Sequence, residues 1–164
     1  MPRDPLEGTY FSADILEFIR ILYSHNVRYL VVGGEAVIYY GHVRLTGDID
    51  FFYDSCLENT AALFQALTAF WSGKIPGIER VDELQEEGVI IQFGRPPNRI
   101  DLLNRIDGVE FKEAWNGRVT ETIRASEAEL PLFYLGLADL IRNKEACARA
   151  KDLDDLRFLR QLPH

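Results

Sequence analysis

Hydrophobic residues recur at helical spacing in some segments of the chain and at strand-like spacing in others. Apolar side chains return every three or four positions after Ser12 and again over 57–71, which predicts two amphipathic helices. Ser12 is a suitable N-cap for the first helix, because its hydroxyl can accept a hydrogen bond from a free N–H group. Short apolar runs at 29–32 and 48–53 predict two β-strands between these helices.

The later part of the chain predicts further elements of both kinds. A strand at 89–93 and a strand at 99–103 flank the segment 95–98, Arg-Pro-Pro-Asn, which is typical of a hairpin turn. Residues 117–123 fit a further strand or an irregular segment. The remaining predictions are a loose N-terminal lead at 1–10, a short helix at 35–40, a surface loop at 72–87, a helix that Pro131 opens from 132 to about 150, and a last helix at 152–161.

This order of elements indicates a mixed β-sheet with helices packed against it, in the α/β (α+β) class. The continuous apolar run at 29–32 favours a central strand that is covered on both faces. The 164 residues fit a single domain, 1–164, with a core at about 12–124 and a C-terminal helical part at about 132–162.

The formal net charge of −8 argues against a protein that captures nucleic acid through a broad basic surface. The composition still allows a local basic strip, which could include Arg95, Arg99, Arg105, Arg142, Lys144, Arg149 and Lys151. Two cysteines without CxxC spacing favour reduced thiols in a cytoplasmic protein. The polar N-terminus and the lack of a long apolar run predict neither a signal peptide nor a membrane partner.

Two acids in the second predicted strand are the first candidates for chemistry. Alternate side chains of a strand share a face, so Asp48 and Asp50 lie together while Ile49 takes the other face. Two carboxylates that close repel each other unless a proton or a cation offsets their charge. Mg²⁺ prefers such oxygen ligands, so one interpretation is a metal site. The alternative interpretation is a strand end in solvent with two hydrated acids. Asp101 becomes a third carboxylate if its strand at 99–103 lies beside the first.

Residues upstream of these acids could complete a site. Gly33 and Gly34 end an apolar strand, where glycine lets the backbone turn sharply and a following helix offers free N–H groups to phosphate. Arg44 and Thr46 come shortly before the first acid and could contact phosphate or steady the carboxylates. An ordinary strand-to-helix turn and a loop arginine without a role are the alternative interpretations.

A charged segment near the C-terminus, KEACARAKDLDD, begins at Lys144. Lys144, Arg149 and Lys151 lie within about three helical turns, and Asp152 and Asp155 form an i, i+3 pair. A solvent-facing helix with local ion pairs explains this pattern more simply than phosphate binding does. Both interpretations stay open from the spacing alone.

Together, these residues resemble a known superfamily. The pair Gly33-Gly34, thirteen intervening residues and Asp48-Ile49-Asp50 are similar to the glycine pair and DxD signature of the DNA polymerase β-like nucleotidyltransferases. The segment VGGEAVIYYGHVRLTGDIDFFYD is similar to small bacterial members, which include minimal nucleotidyltransferases and AbiEii-type toxins. Lys144 and Lys151 resemble part of a later basic segment of the AbiEii type.

The resemblance implies transfer of a nucleoside monophosphate from an NTP, with Mg²⁺ or Mn²⁺ as cofactor and pyrophosphate as the leaving group. Asp48, Asp50 and Asp101 would be the catalytic and metal-binding residues. The residues implied to bind the nucleotide are Gly33, Gly34, Arg44, Thr46, Lys144 and Lys151. The acceptor (a tRNA, a protein or a small molecule) stays open, and a toxin of this type would also have an antitoxin partner.

Two other functions remain open beside this enzyme. A catalytically inactive member of the same fold would bind a nucleotide or a partner protein without releasing pyrophosphate. A metal-dependent phosphohydrolase would release inorganic phosphate instead. Zinc hydrolysis is disfavoured, because His25, His42 and His164 show no paired ligand spacing.

Overall fold

The computed structural model describes residues 6–7, 10–125 and 128–163. The helices are α1 (Ala13–Ser24), α2 (Gly33–Tyr39), α3 (Leu57–Phe70), α4 (Phe111–Asn116), α5 (Leu137–Cys147) and α6 (Ala150–Leu159). The strands are β1 (Leu6–Glu7), β2 (Tyr29–Val32), β3 (Asp48–Tyr53), β4 (Ile90–Phe93), β5 (Arg99–Leu103), β6 (Val119–Ala125) and β7 (Ala128–Tyr134). In this described part, the strands form one mixed sheet in the order β1-β6-β7-β2-β3-β5-β4, and the predicted α/β (α+β) class is confirmed.

Strand β2 lies in the middle of the sheet. All four of its residues are buried, as its continuous apolar run predicts. It pairs antiparallel with β3 on one side and parallel with β7 on the other. The central position of β2 therefore places β3, which carries two of the predicted acids, next to the most buried part of the sheet.

Strands β3 and β5 are parallel neighbours, with Asp50 opposite Asp101. From the sequence, Asp101 joins the other two acids only if these two strands are neighbours. The structure shows that they are. Strand β4 pairs antiparallel with β5 and places Gln92 on the other side of Asp101. The connection between β4 and β5 is the predicted hairpin at 95–98.

Helices α1 and α3 pack against each other and against the sheet. The N–H group of Ile15 donates to the hydroxyl of Ser12 at 3.3 Å, so Ser12 is the N-cap that the sequence predicts. Phe18 of α1 contacts Phe51 of β3 and Phe70 of α3, with ring centroids 5.2 Å apart in both pairs. This packing buries the face of β3 that lies opposite to its two acids.

The predicted helix from 132 to about 150 is wrong in its first part. Strand β7 occupies its beginning, and α5 starts only at Leu137. Leu130 and Leu132 are buried and alternate with less buried neighbours, a period of two that specifies a strand. Pro131, between them, gave a misleading signal for a helix start. The C-terminal helical part therefore begins at Leu137 rather than at 132.

Other differences concern segments without a clear pattern. Helix α5 ends at Cys147, where Ala148 takes a left-handed φ of 50°. The predicted loop at 72–87 contains a 3₁₀-helix at Val81–Leu84, whose last residue is buried. Helix α4 has no counterpart among the sequence predictions.

The N-terminal part of the chain also joins the sheet. Strand β1 pairs in parallel with β6, so the predicted loose lead is partly a strand; its residues 1–5 and 8–9 lie outside the described part. Strand β6 confirms the strand interpretation of the segment at 117–123. Within the described ranges, no helix is long and apolar enough to cross a membrane.

Candidate functional site

Three carboxylates meet near the start of the parallel strands β3 and β5. Asp48 and Asp50 share one face of β3, and Asp101 lies opposite Asp50 on β5. One carboxylate oxygen from each residue lies within 4.8 Å of the other two. The structure therefore brings the three acids together, and they form a candidate metal centre with hard oxygen ligands.

Burial and the repulsion between neighbouring carboxylates increase the proton affinity of Asp50 and Asp101. Burial first, and then the charges of Asp48 and Asp101, raise the pKa of Asp50 to about 7. Burial and the charge of Asp48 also raise the pKa of Asp101, while Arg99 acts in the opposite direction. The positive charge of Arg99 therefore offsets the negative charge of the cluster only in part, and a divalent cation would offset more of it.

Arg99 is a cation that contacts these acids directly. Its Nη2 donates to Asp48 Oδ2 at 2.6 Å, and its Nε lies 3.2 Å from Asp101 Oδ1. In the sequence, Arg99 stands out only as a member of a basic strip. The signal that identifies its role is its spacing, because two residues before Asp101 on a strand is the same face.

One carboxylate oxygen of the cluster lacks a hydrogen bond. Asp101 Oδ1 is buried and accepts none from the described residues, since the nearby Arg99 Nε pairs with it without hydrogen-bond geometry. The other oxygen, Oδ2, accepts a long hydrogen bond of 3.4 Å from Gln92 Nε2. A buried acceptor without a donor is unfavourable, and coordination of a hard cation removes that deficit. The residues present therefore fit Mg²⁺ or a similar ion.

The glycine pair lies directly against the acids. Gly33 has a left-handed φ of +67°, and a Cβ atom added to it would stand 2.2 Å from Asp50 Oδ2. A Cβ atom on Gly34 would stand 3.0 Å from Thr46 Oγ1, which donates to Asp48 Oδ1 at 3.2 Å. Glycine is thus needed at Gly33 both for the backbone conformation and for the close approach. These predicted residues form one contiguous group with the acids.

Arg44 connects this group to a buried ion cluster. Its Cζ lies 3.7 Å from the position that a Gly34 Cβ would take, and its Nη1 donates to Asp155 Oδ2 at 2.5 Å. Lys144 Nζ lies 3.0 Å from both Asp152 Oδ1 and Asp155 Oδ2, and Lys144 is only 3% exposed. Because two aspartates hold its ammonium group, the predicted phosphate contact of Lys144 stays a prediction.

The same ion cluster joins α5 to α6. Arg149 Nε donates to Asp152 Oδ2 at 2.7 Å across the start of α6. Burial acts to raise the pKa of Asp152, but hydrogen bonds from Arg149 and Lys144 outweigh it and lower the pKa to about 2. The charged segment is therefore partly a buried ionic contact rather than only a solvent-facing helix. Lys151 is exposed, and its predicted phosphate contact also stays a prediction.

A fourth acid, Glu35, borders the site and was not predicted. It follows Gly34 in α2, is 7% exposed and accepts a hydrogen bond from Tyr10 Oη at 3.0 Å. Burial raises the pKa of Glu35 to about 7. A cleft of about 220 Å³ reaches from Glu35 to Thr46 and Asp48. The sequence signal that could have identified Glu35 is an acid directly after the glycine pair, at the start of an apolar run.

A larger cleft of about 550 Å³ lies at the other ends of β3 and β5. Phe52, Asn104 and Phe111 are among the residues that line it. No residue predicted for the site lines this cleft. The smaller cleft is therefore the one that adjoins the candidate chemistry.

A comparison with known protein families identifies the family of this chain. A sequence model of the family described as "Nucleotidyltransferase of unknown function (DUF6036)" matches residues 13–158. No curated protein matches the chain. The matched segment spans nearly all of the described chain, from α1 to α6, and includes the glycine pair, the three acids and the buried ion cluster.

Proposed function

We propose, because this chain belongs to the nucleotidyltransferase family DUF6036, that it transfers a nucleoside monophosphate from an NTP to an acceptor. The acceptor group is a hydroxyl or a phosphate, and pyrophosphate is released. Mg²⁺ is the proposed cofactor, and Mn²⁺ is the natural substitute because it also prefers carboxylate and water ligands.

The observation that supports this proposal best is the grouping of three carboxylates against a glycine backbone. Asp48, Asp50 and Asp101 place oxygens within 4.8 Å of one another, and Gly33 leaves the space that the Asp50 carboxylate fills. The buried Asp101 Oδ1, which accepts no hydrogen bond from the described residues, is an oxygen ligand that suits a hard cation. Family and geometry thus point to the same chemistry.

The proposed roles follow from these positions. Asp48, Asp50 and Asp101 would hold the divalent cations, whose chemistry is to activate an attacking oxygen and to stabilise the leaving one. Thr46 orients Asp48 through the hydrogen bond from its hydroxyl. Gly33 leaves room for the Asp50 carboxylate, and the backbone at Gly33 and Gly34 would contact a triphosphate beside the acids.

Three basic residues are proposed to bind phosphate, and their side chains would have to move by different amounts to reach it. Arg44 lies against Gly34 and would reach a phosphate by leaving Asp155. Lys144 would have to exchange a buried aspartate for a phosphate oxygen. Lys151 is exposed and would need only a change of rotamer.

The acceptor and the biological setting rest on the sequence resemblance alone. The proposal admits a tRNA, a protein or a small molecule as acceptor. It includes action as the toxin of a toxin–antitoxin pair, in which an antitoxin would be a partner. A cytoplasmic location is part of the proposal, and it is supported by the free thiols of Cys56 and Cys147.

Release of pyrophosphate tests this function. The native protein, Asp50→Asn and Asp82→Asn are incubated with Mg²⁺, one NTP at a time and pooled acceptors (tRNA, protein and small molecules). Asp82 is an exposed acid paired with Arg80, so its variant makes the same chemical change away from the site. The proposal expects pyrophosphate from the native protein and from Asp82→Asn, and a loss of about 100-fold or more in Asp50→Asn. Release of inorganic phosphate instead identifies a phosphohydrolase and contradicts the proposal.

A second candidate function is nucleotide binding without catalysis. The observation that favours it is Arg99, which already neutralises part of the acid cluster through Asp48 and Asp101. Such a protein binds an NTP and releases no pyrophosphate with any acceptor.

A further inference from the structure

Arg99 contacts two of the three acids that could otherwise bind a metal ion. Its guanidinium group bridges the two strands' carboxylates, with Nη2 2.6 Å from Asp48 Oδ2 and Nε 3.2 Å from Asp101 Oδ1. Both residues belong to the cluster of three acids that could hold a cation. A planar guanidinium has several donors in a fixed fork, so it suits a pair of carboxylates better than a lysine would.

A divalent cation and this guanidinium group cannot share the acids without strong repulsion. Mg²⁺ lies about 2.1 Å from its oxygen ligands. If Mg²⁺ binds Asp48 Oδ2, it comes within about 4.7 Å of the Arg99 Nη2 that contacts the same oxygen. The site is partly buried, where screening by water is weak, and like charges that close repel each other.

The contact with Asp101 shows that Arg99 satisfies the acids only in part. Asp101 Oδ1 and Arg99 Nε are both buried, and neither has a hydrogen bond among the described residues. The side chain of Arg99 remains about one-third exposed, which leaves it a path toward solvent. An arginine that binds one carboxylate well and the other poorly is one that a better ligand can displace.

We propose that Arg99 is a built-in competitor for the divalent cation, which holds Asp48 and Asp101 until the metal displaces its guanidinium group. This inference rests on the proposed function, because it requires that the three acids bind metal. Arg99 thus positions the acids and is not itself a catalytic residue. It keeps them together in the metal-free protein and lowers the affinity for metal by the energy of its own contacts.

Binding of Mn²⁺ alone, without nucleotide, tests the proposal by calorimetry on the native protein, Arg99→Gln and Arg105→Gln. Arg105 pairs with Glu87 on the surface, so its variant removes one positive charge without touching the acids. Arg99→Gln is expected to bind Mn²⁺ at least about tenfold more tightly than the native protein, which is about 1.4 kcal/mol. Arg105→Gln is expected to stay within about twofold, because exposed ion pairs contribute little.

Equal or weaker Mn²⁺ binding by Arg99→Gln, in a protein that binds Mn²⁺ in its native form, overturns the competitor role and leaves the proposed function standing. If neither protein binds Mn²⁺, the metal site itself is wrong and both proposals fail. If Arg99→Gln does not fold, Arg99→Met makes the same test, because methionine has a long unbranched side chain and no charge. Binding by Arg99→Met that is no tighter than native then overturns the inference.

Discussion

The α carbon of Gly33 lies so close to the Asp50 carboxylate that no other residue fits between them: a Cβ atom would stand 2.2 Å from Asp50 Oδ2. The contact joins the turn after β2 to the acid pair on β3. It explains why the glycine and the acid belong to one site although they are far apart in sequence. A side chain at position 33 would therefore displace the Asp50 carboxylate from its present position in the acid cluster.

Replacement of Gly33 by alanine is therefore expected to damage the site more than the fold. Alanine at a φ of +67° destabilises the protein by about 1–2 kcal/mol. The displaced Asp50 carboxylate should in addition weaken Mn²⁺ binding by about tenfold or more. Thermal unfolding and Mn²⁺ calorimetry measure the two effects separately.

Gly77→Ala is the matched control for this substitution. Gly77 has a similar φ of +77°, and nothing lies within 4 Å of the position of its Cβ atom. The control should lose similar stability and keep its Mn²⁺ affinity. If both variants bind Mn²⁺ equally well, the contact between Gly33 and Asp50 has no role in the site.

The buried ion cluster gives a prediction about Lys144. Its replacement by methionine leaves the carboxylates of Asp152 and Asp155 without their shared cation, in a region where both are almost fully buried. We expect a loss of at most about 3 kcal/mol in the free energy of unfolding, because Arg149 and Arg44 still contact the two carboxylates and offset part of the charge that Lys144 leaves. Urea denaturation measures it.

Lys151→Met is the control, since Lys151 is exposed on the same segment and should change stability by less than about 0.5 kcal/mol. NTP titration of the two variants separates structure from binding. A Lys144→Met protein of native stability that no longer binds NTP would show that Lys144 serves phosphate rather than the fold.

Much of the fold follows from local patterns, and the parts that do not are set by distant partners. The run at 29–32 is apolar throughout, so its central position could be predicted from burial alone. The segment around Pro131 was predicted as a helix, because a proline is a common helix start and the alternation of Leu130 and Leu132 is short. Pairing with β6 and β2 decides its strand conformation, and pairing is not local.

Some features of the site could also be predicted from local patterns, and the others depend on distant partners. Alternation in one strand suffices to place Asp48 and Asp50 together, whereas their proximity to Asp101 depends on which strands are neighbours. Arg99 could have been found from its spacing to Asp101. The burial of Lys144 could not, because it depends on how α5 and α6 pack.

Glu35 predicts a dependence of stability on pH. Its pKa in the folded protein is about 7, raised by burial from its usual value of 4.5. The folded state therefore keeps a proton that the unfolded state has lost between these two values, and stability falls as the pH rises from about 4.5 to about 7. Glu35→Gln removes this loss and should be more stable than native at pH 8, by about 3 kcal/mol at most.

Urea denaturation at pH 5 and pH 8 measures the difference between the two proteins. Asp50 adds a slope of the same sign to both, since its pKa is also raised to about 7, so the comparison isolates Glu35. Glu86→Gln, at an exposed acid, is the control and should follow the native protein at both pH values. A native-like pH profile in Glu35→Gln would contradict a buried, protonated Glu35.

Calorimetric titration of the metal-loaded protein with NTP decides whether this site serves nucleotides. ATP, CTP, GTP and UTP are added in turn, in Mg²⁺, to the native protein and to Asp101→Asn, with folding checked by circular dichroism. The proposed function predicts that the native protein binds at least one NTP only when Mg²⁺ is present, and that Asp101→Asn loses most of this binding because a metal ligand is gone. Folded native protein that binds none of the four NTPs would contradict it.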